Sequence, residues 1–182
     1  MAVENLPRRN FLRGQFFTSL QSDQIKQQGF NGIRPPWAVN NTLFIQDCTR
    51  CDACIQACET KILIKGDGGF PEIQFNRGEC TFCQKCVEVC QQPVFRPLSE
   101  PAWEHKVEIT ASCLTHKSVE CRSCEDSCEM RAIRFKRQLG QVSHPTLDLD
   151  SCNGCGACIK GCPVSAIKVL FTTQNELDTK ND

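Results

Sequence analysis

The sequence has no surplus of charge of either sign. Its 21 Lys and Arg are balanced by 21 Asp and Glu, so no nucleic-acid partner is expected. No apolar run approaches the roughly 20 residues that a membrane-spanning helix needs. There is no Gly-rich phosphate loop, nucleophile triad or flavin motif, so the chain is not expected to be an enzyme in its own right. Aliphatic residues are scarce as well. The apolar fraction of 40% counts 16 cysteines as hydrophobes, and without them too little Leu, Ile and Val remains for a self-sufficient core. With 182 residues there is room for one ordinary domain or two small ones, held together by something besides aliphatic packing.

No cleaved export signal is expected either. The segment RRNFLRG has the look of a twin-arginine signal, but GQFFTSLQSDQIKQQGF follows, broken by Gln, Ser, Asp and Lys every few positions. That leaves no place for an apolar h-region of about 7–15 residues. A short amphipathic helix is expected there instead, with Phe11, Leu12, Phe16, Phe17 and Leu20 on one face and Arg8, Arg9 and Arg13 solvated. The protein is expected to be cytoplasmic and to carry no membrane span.

What the chain does have is cysteine, in four groups. The first is CTRCDACIQAC (Cys48, Cys51, Cys54, Cys58) and the second CTFCQKCVEVC (Cys80, Cys83, Cys86, Cys90). The third, CLTHKSVECRSCEDSC, supplies Cys113, Cys121, Cys124 and Cys128; the fourth, CNGCGACIKGC, supplies Cys152, Cys155, Cys158 and Cys162. A β-prone run precedes each group (TLFIQD, EIQFNRGE, KVEITAS, TLDLDS) and an apolar run follows it (TKILI, PVF, RAIRF, SAIKVL). The residues between the last two cysteines suit a short helix. Each repeat therefore reads strand, cysteine loop, short helix, strand, over about thirty residues.

These repeats predict an α+β fold of two tandem bacterial ferredoxin-like domains, each a pseudo-twofold βαβ pair around two iron–sulfur clusters, with an N-terminal helical extension. The expected boundaries are an extension at 1–43, a first domain at 44–97, a Pro-stiffened linker at 98–106, a second domain at 107–171 and a polar tail at 172–182.

Disulfides, zinc and iron–sulfur clusters all use cysteine. Disulfides suit an oxidising compartment, for which no export signal speaks here. Tetrahedral zinc prefers two C-x2–4-C pairs separated by a spacer, not four cysteines on one loop repeated four times. The spacing C-x2-C-x2-C-x3-C fits iron: three cysteines on a tight loop reach three irons of a cube, and the fourth serves the neighbouring cluster. Gly154 and Gly156 let the backbone come close to sulfide and donate N–H groups to it. Four [4Fe-4S] clusters are expected. With the fourth cysteine crossing over, Cys48, Cys51, Cys54 and Cys90 hold one, and Cys80, Cys83, Cys86 and Cys58 its mate. Cys113, Cys121, Cys124 and Cys162 hold the third, and Cys152, Cys155, Cys158 and Cys128 the fourth.

Group three departs from the pattern, with LTHKSVE in place of the usual two residues between Cys113 and Cys121. A looped-out insertion is expected there, with His116 a solvated loop residue rather than a spare ligand. His105 and His144, lacking metal-ligand spacing, are expected at the surface. Pro163 follows Cys162, but Glu59, Gln91 and Glu129 follow the other fourth cysteines. Each oxidised cube with its thiolates carries about two negative charges, which takes the loaded protein to roughly −8 and calls for positively charged partners. Phe70, Phe75, Phe82, Phe95 and Phe135 are candidates to shield clusters from water, although ordinary packing accounts for them equally well.

Taken with their order along the chain, the segments RRNFLRG, IRPPWA, CTRCDAC, GDGGFP, VECRSCEDSCE and CNGCGACIKGCPVSAI resemble the NapF family, ferredoxin-type proteins of periplasmic nitrate reductase systems. The resemblance covers nearly the whole chain, the long third-group spacing included. It implies a cytoplasmic protein that contacts the precursor of the nitrate reductase catalytic subunit and assists its maturation before export, delivering electrons or a cluster. The protein is expected to be a monomer when free. Arg8, Arg9 and Trp37 are candidate docking residues; IRPPWA reads equally as a Pro-stiffened lead into the first strand. The alternatives are a general ferredoxin-type electron carrier of a respiratory chain and a zinc-stapled scaffold.

Overall fold

In the computed structural model, which describes residues 32–138 and 140–171, two compact units are distinguished. The first comprises residues up to 74 together with 84–100, and the second 75–83 together with 101 onward. The expected N-terminal helix with Arg8 and Arg9, and the polar tail at 172–182, lie outside the described residues.

The first unit contains α1 (Asn41–Asp47), α2 (Ala53–Ala57), β1 (Leu63–Lys65), β2 (Pro71–Ile73) and α3 (Lys85–Glu88). The run TLFIQD, expected to be β-strand, is helical instead. Asn40 supplies the reason: its Oδ1 accepts the Leu43 N–H at 3.0 Å, an N-cap that outweighs the β-propensity of the apolar residues behind it. The turn so started buries Phe44 and Ile45 side by side. Strand pairing moves upstream into residues expected to be lead-in. Ala38 bridges Phe95 in antiparallel sense, the Val39 N–H donates to the Val94 carbonyl at 3.0 Å, and the Arg96 N–H donates to that of Trp37. PVF is thus reduced to one bridge, and of EIQFNRGE only Glu72 and Ile73 lie in a strand. β1 and β2 pair antiparallel, Leu63 opposite Ile73. Phe44, Ile45, Phe70 and Val94 form the core, with Cys48 and Cys90 packed against it.

The second unit contains β3 (Lys106–Ile109), α4 (Ser123–Asp126), β4 (Ile133–Gln138), β5 (Gln141–Leu147), α5 (Ala157–Gly161) and β6 (Ile167–Leu170). β3 pairs antiparallel with β6, and β4 with β5, where the register shifts between Lys136 and Gln138. Phe135 stands opposite Pro145, and its N–H donates to the Glu125 carboxylate at 3.1 Å. The Thr146 hydroxyl donates to the Arg134 carbonyl at 2.9 Å. Val107, Ile133 and Ile167 share the core with Cys124 and Cys158, so two thiols occupy places that an ordinary small domain gives to aliphatics.

In both units a helix of a single turn begins one residue before the third cysteine of each group, as the spacing predicts. The residue ahead of it is left-handed in three of the four: Asp52 (φ 63°), Gln84 (φ 64°) and Gly156 (φ 82°). Arg122, ahead of α4, is not (φ −132°). No helix among the described residues is long and apolar enough to cross a membrane.

Candidate metal centres

All sixteen cysteines are described, and none forms a disulfide. In the first unit, Cys48 caps α1, its N–H bonded to the Phe44 carbonyl at 3.0 Å. Left-handed Arg50 and Asp52 turn the chain around the exposed Cys51 and lead it into α2, which carries Cys54. Cys90 follows α3. These four thiols line one cavity with Phe44, Val94 and Phe95. Burial, then the neighbouring Cys48 and Cys90, push the Cys54 thiol up to about 12. Burial likewise raises Cys48, although the Arg50 N–H eases it. Four thiols so crowded keep their protons unless a cation among them compensates the charge.

The second unit repeats the arrangement. Cys128, Cys152, Cys155 and Cys158 line a cavity with Val107, Ile133 and Leu147. Burial, then Cys155, Cys152 and Cys128, push Cys158 up to about 12. Burial raises Cys155 as well, against an N–H from Ala157. Around Cys124, burial and then Cys113, with Cys121 and Cys162 adding, raise the thiol to about 11. The insertion is therefore looped out as expected. It forms a 3-10 turn at Leu114–Lys117 with Cys113 at its head, and Cys113 remains buried within electrostatic reach of Cys124.

The remaining four thiols are divided between the units and are described with each. Cys58 and Cys86 are buried in the first. Burial pushes Cys58 up, but bonds from the Leu63, Ile62 and Lys61 N–H groups and the Thr60 hydroxyl outweigh it and hold the thiol low. In the second unit Cys80 takes the Phe82 N–H on its sulfur at 3.4 Å, and Cys83 is exposed. Elsewhere in that unit the Ala166 N–H reaches the Cys162 sulfur at 3.2 Å. Backbone donors aimed at sulfur are what thiolates bound to iron require.

Among the described residues no three His, Cys, Asp or Glu side chains gather for a single ion. Thiols spread around a cavity suit a cube, whose irons sulfide holds apart. The donor set fits [4Fe-4S] ligation.

Other expectations need amendment. Trp37 is buried, and its indole N–H donates to the Glu100 carbonyl at 2.9 Å, so it offers a partner no anchor. His105 is not at the surface. It is 7% exposed, with Nε2 donating to the Gly154 carbonyl at 3.0 Å, inside the fourth cysteine loop. Burial holds its pKa below the ordinary 6.5. His144 is half-buried against the exposed His116, ring centroids 5.5 Å apart. Of the candidate shields, Phe95 lines the first cavity. Phe70 carries the Arg34 and Arg50 guanidinium groups, each 5.2 Å from its centroid. Phe75 packs where a side chain on Gly156 would go, Phe82 lies against Trp103, and Phe135 carries Arg122. His105, lacking a ligand's spacing, carries no sequence sign of this burial, and Arg34 carries none either, since it sits inside IRPPWA, which the repeats do not explain.

Comparison with known proteins agrees with this geometry. Residues 117–166 match a 4Fe-4S dicluster domain and residues 45–61 a 4Fe-4S binding domain. The chain is 57% identical to the ferredoxin-type protein NapF of Haemophilus influenzae over 97% of its own length and 100% of the relative. It is 50% identical to NapF of Escherichia coli strain K12 over 78% of this chain and 86% of that one. Ferredoxin-type protein NapG of the same strain is 28% identical, covering 90% and 85% respectively. With one cavity in each unit lined by four cysteines and a NapF relative matched from end to end, the chain belongs to the ferredoxin-type NapF proteins, iron–sulfur proteins of the 4Fe-4S class.

Proposed function

We propose that the protein is an accessory of a periplasmic nitrate reductase system, acting in the cytoplasm on the precursor of the catalytic subunit and assisting its maturation before export. The observation that carries this reading is the 57% identity to a NapF protein over that relative's full length. We assign four [4Fe-4S] clusters to the crosswise sets that spacing predicts. In the second domain the antiparallel pairs β3–β6 and β4–β5 support a pseudo-twofold arrangement around two of them.

When bound, such clusters take up and release single electrons. The chain's own residues hold and insulate them. Phe44, Val94 and Phe95 keep water from the first site, while exposed Cys51 brings one thiol of that site to the surface, where a client can meet it. The same exposure also favours a second reading, a general electron carrier.

The deciding experiment deletes the protein and measures cluster occupancy and activity of the purified client. A client with depleted clusters is expected; full occupancy and activity would defeat the maturation role. Sustained respiratory turnover in vitro without any effect on client assembly would establish the carrier instead.

A further inference from the structure

The insertion in group three buries a polar residue. Of LTHKSVE, Leu114 is half-buried, the residues after Thr115 are exposed, and Thr115 alone is buried, at 1% exposure. Backbone hydrogen bonds hold it there. The His116 N–H donates to the Cys113 carbonyl at 3.1 Å, the Ser118 N–H to that of Thr115 at 3.1 Å, and the Val119 N–H to that of Leu114 at 3.0 Å. Ser118 closes the turn in left-handed backbone, at φ 60°. Burying a hydroxyl is costly unless it is hydrogen-bonded, and a valine would fill the same space without that cost. The partner here is a candidate ligand: Thr115 Oγ1 lies 3.3 Å from Cys113 Sγ, and both residues are buried. Between a free thiol and a hydroxyl either can donate. A thiolate bound to iron has no proton, so Thr115 is then the donor.

We infer that Thr115 is a positioning residue of the third cluster, its hydroxyl donating to the Cys113 thiolate and favouring the reduced form, and that the insertion exists to carry it. This rests on the assignment of that cluster to Cys113, Cys121, Cys124 and Cys162, not on the maturation role. Reduction by a one-electron donor adds one negative charge to the site, and part of it falls on the ligand sulfurs. A donor already aimed at one of them gains strength in that step, the more so away from water. The hydroxyl keeps its proton, and no bond to Thr115 forms or breaks. Ser123 repeats the contact in weaker form, half-buried with its hydroxyl 3.7 Å from Cys121 Sγ. The fourth site has no counterpart, since Gly154 and Ala157 stand two residues after Cys152 and Cys155.

The test is an anaerobic potentiometric titration of the full-length loaded protein with dithionite as donor, followed by electron paramagnetic resonance, together with iron analysis. Cys124→Ser first identifies the signal of the third site. Thr115→Val is expected to keep its iron while the reduced fraction of that signal at a given potential falls about fivefold. Thr115→Ser, which keeps the hydroxyl, should titrate close to wild type, and Ser123→Ala should move the signal less than Thr115→Val does. An unshifted signal in Thr115→Val overturns the inference. So does an equal shift in Thr115→Ser, which would make side-chain shape the cause, or a shift in Ser123→Ala as large as that in Thr115→Val. If Thr115→Val does not load iron, Thr115→Ala takes its place; loss of iron in both would make the residue scaffolding and overturn the inference. Unchanged signals and iron in Cys124→Ser would overturn the ligand assignment itself, a failure distinct from that of Thr115.

Discussion

Substituting Gly156 tests how tightly the fourth cysteine loop is packed. A Cβ on Gly156 would lie 2.0 Å from Phe75 Cδ1 and 2.3 Å from its Cγ. The residue also has φ +82°. Forcing a side chain into left-handed backbone costs about 1–2 kcal/mol, and overpacking a filled site typically about 1–3 kcal/mol. Gly156→Ala is therefore expected to destabilise the loaded second unit by roughly 2–5 kcal/mol, about thirtyfold to several thousandfold in equilibrium terms. Asp52 and Gln84 hold the corresponding positions of the first two groups at φ 63° and 64°, so backbone strain alone is tolerated in this loop design. The distinguishing cost is Phe75. The assay is the rate of bleaching near 400 nm under an iron chelator, measured for wild type, Gly156→Ala, Phe75→Ala and the double variant. The double variant should bleach markedly more slowly than the sum of the two single effects implies. Strict additivity, or a Gly156→Ala protein as durable as wild type, would refute the packing argument.

Three further outcomes follow from the sites. Cys128→Ser and Cys155→Ser should each cost the same roughly four irons, and combining them should cost no more, whereas Cys128→Ser with Cys113→Ser should cost about eight; additive loss in the first pair, by iron analysis, would break the crosswise assignment. His105 is held neutral by burial, so its folded pKa lies below the unfolded 6.5 and its contribution is complete above about pH 6.5 and lost as pH falls through the lower value. Wild-type bleaching should accelerate on that acidification and the effect should be blunted in His105→Gln; parallel profiles would contradict it. Because Cys124 and Cys158 are part of the second core, chelation should abolish cooperative structure, and a native-like melt of the apoprotein by circular dichroism would show that the aliphatic core suffices.

The cysteine spacing made the helical turns and the looped-out third group legible, because ligand geometry fixes where the chain must turn whatever surrounds it. Strand pairing was less legible. TLFIQD has the composition of a strand, and only the Asn40 cap and the burial of Phe44 beside Ile45 decide for a helix. The cap signal was present in the sequence, Asn40 three residues ahead of the apolar run Leu43–Ile45, but competed with β-propensity. His105 and Arg34 could not be placed by pattern, since each earns its place through a partner 49 or 37 residues away. Trp37 was misjudged for the same reason: its carbonyl partner lies in Glu100, 63 residues on.

A two-stranded ribbon consists of nothing but rims, each an invitation to another polypeptide. On β4 and β5 those rims are guarded: Pro145 has no N–H to offer, the Phe135 N–H is claimed by Glu125, and the register slips past Lys136. Such guarding matters most before iron arrives, when a chain poor in greasy side chains waits half-assembled among its neighbours. If the ribbon forms early, it can wait without recruiting another copy, and the protection built into one hairpin becomes a safeguard for the unloaded molecule as a whole.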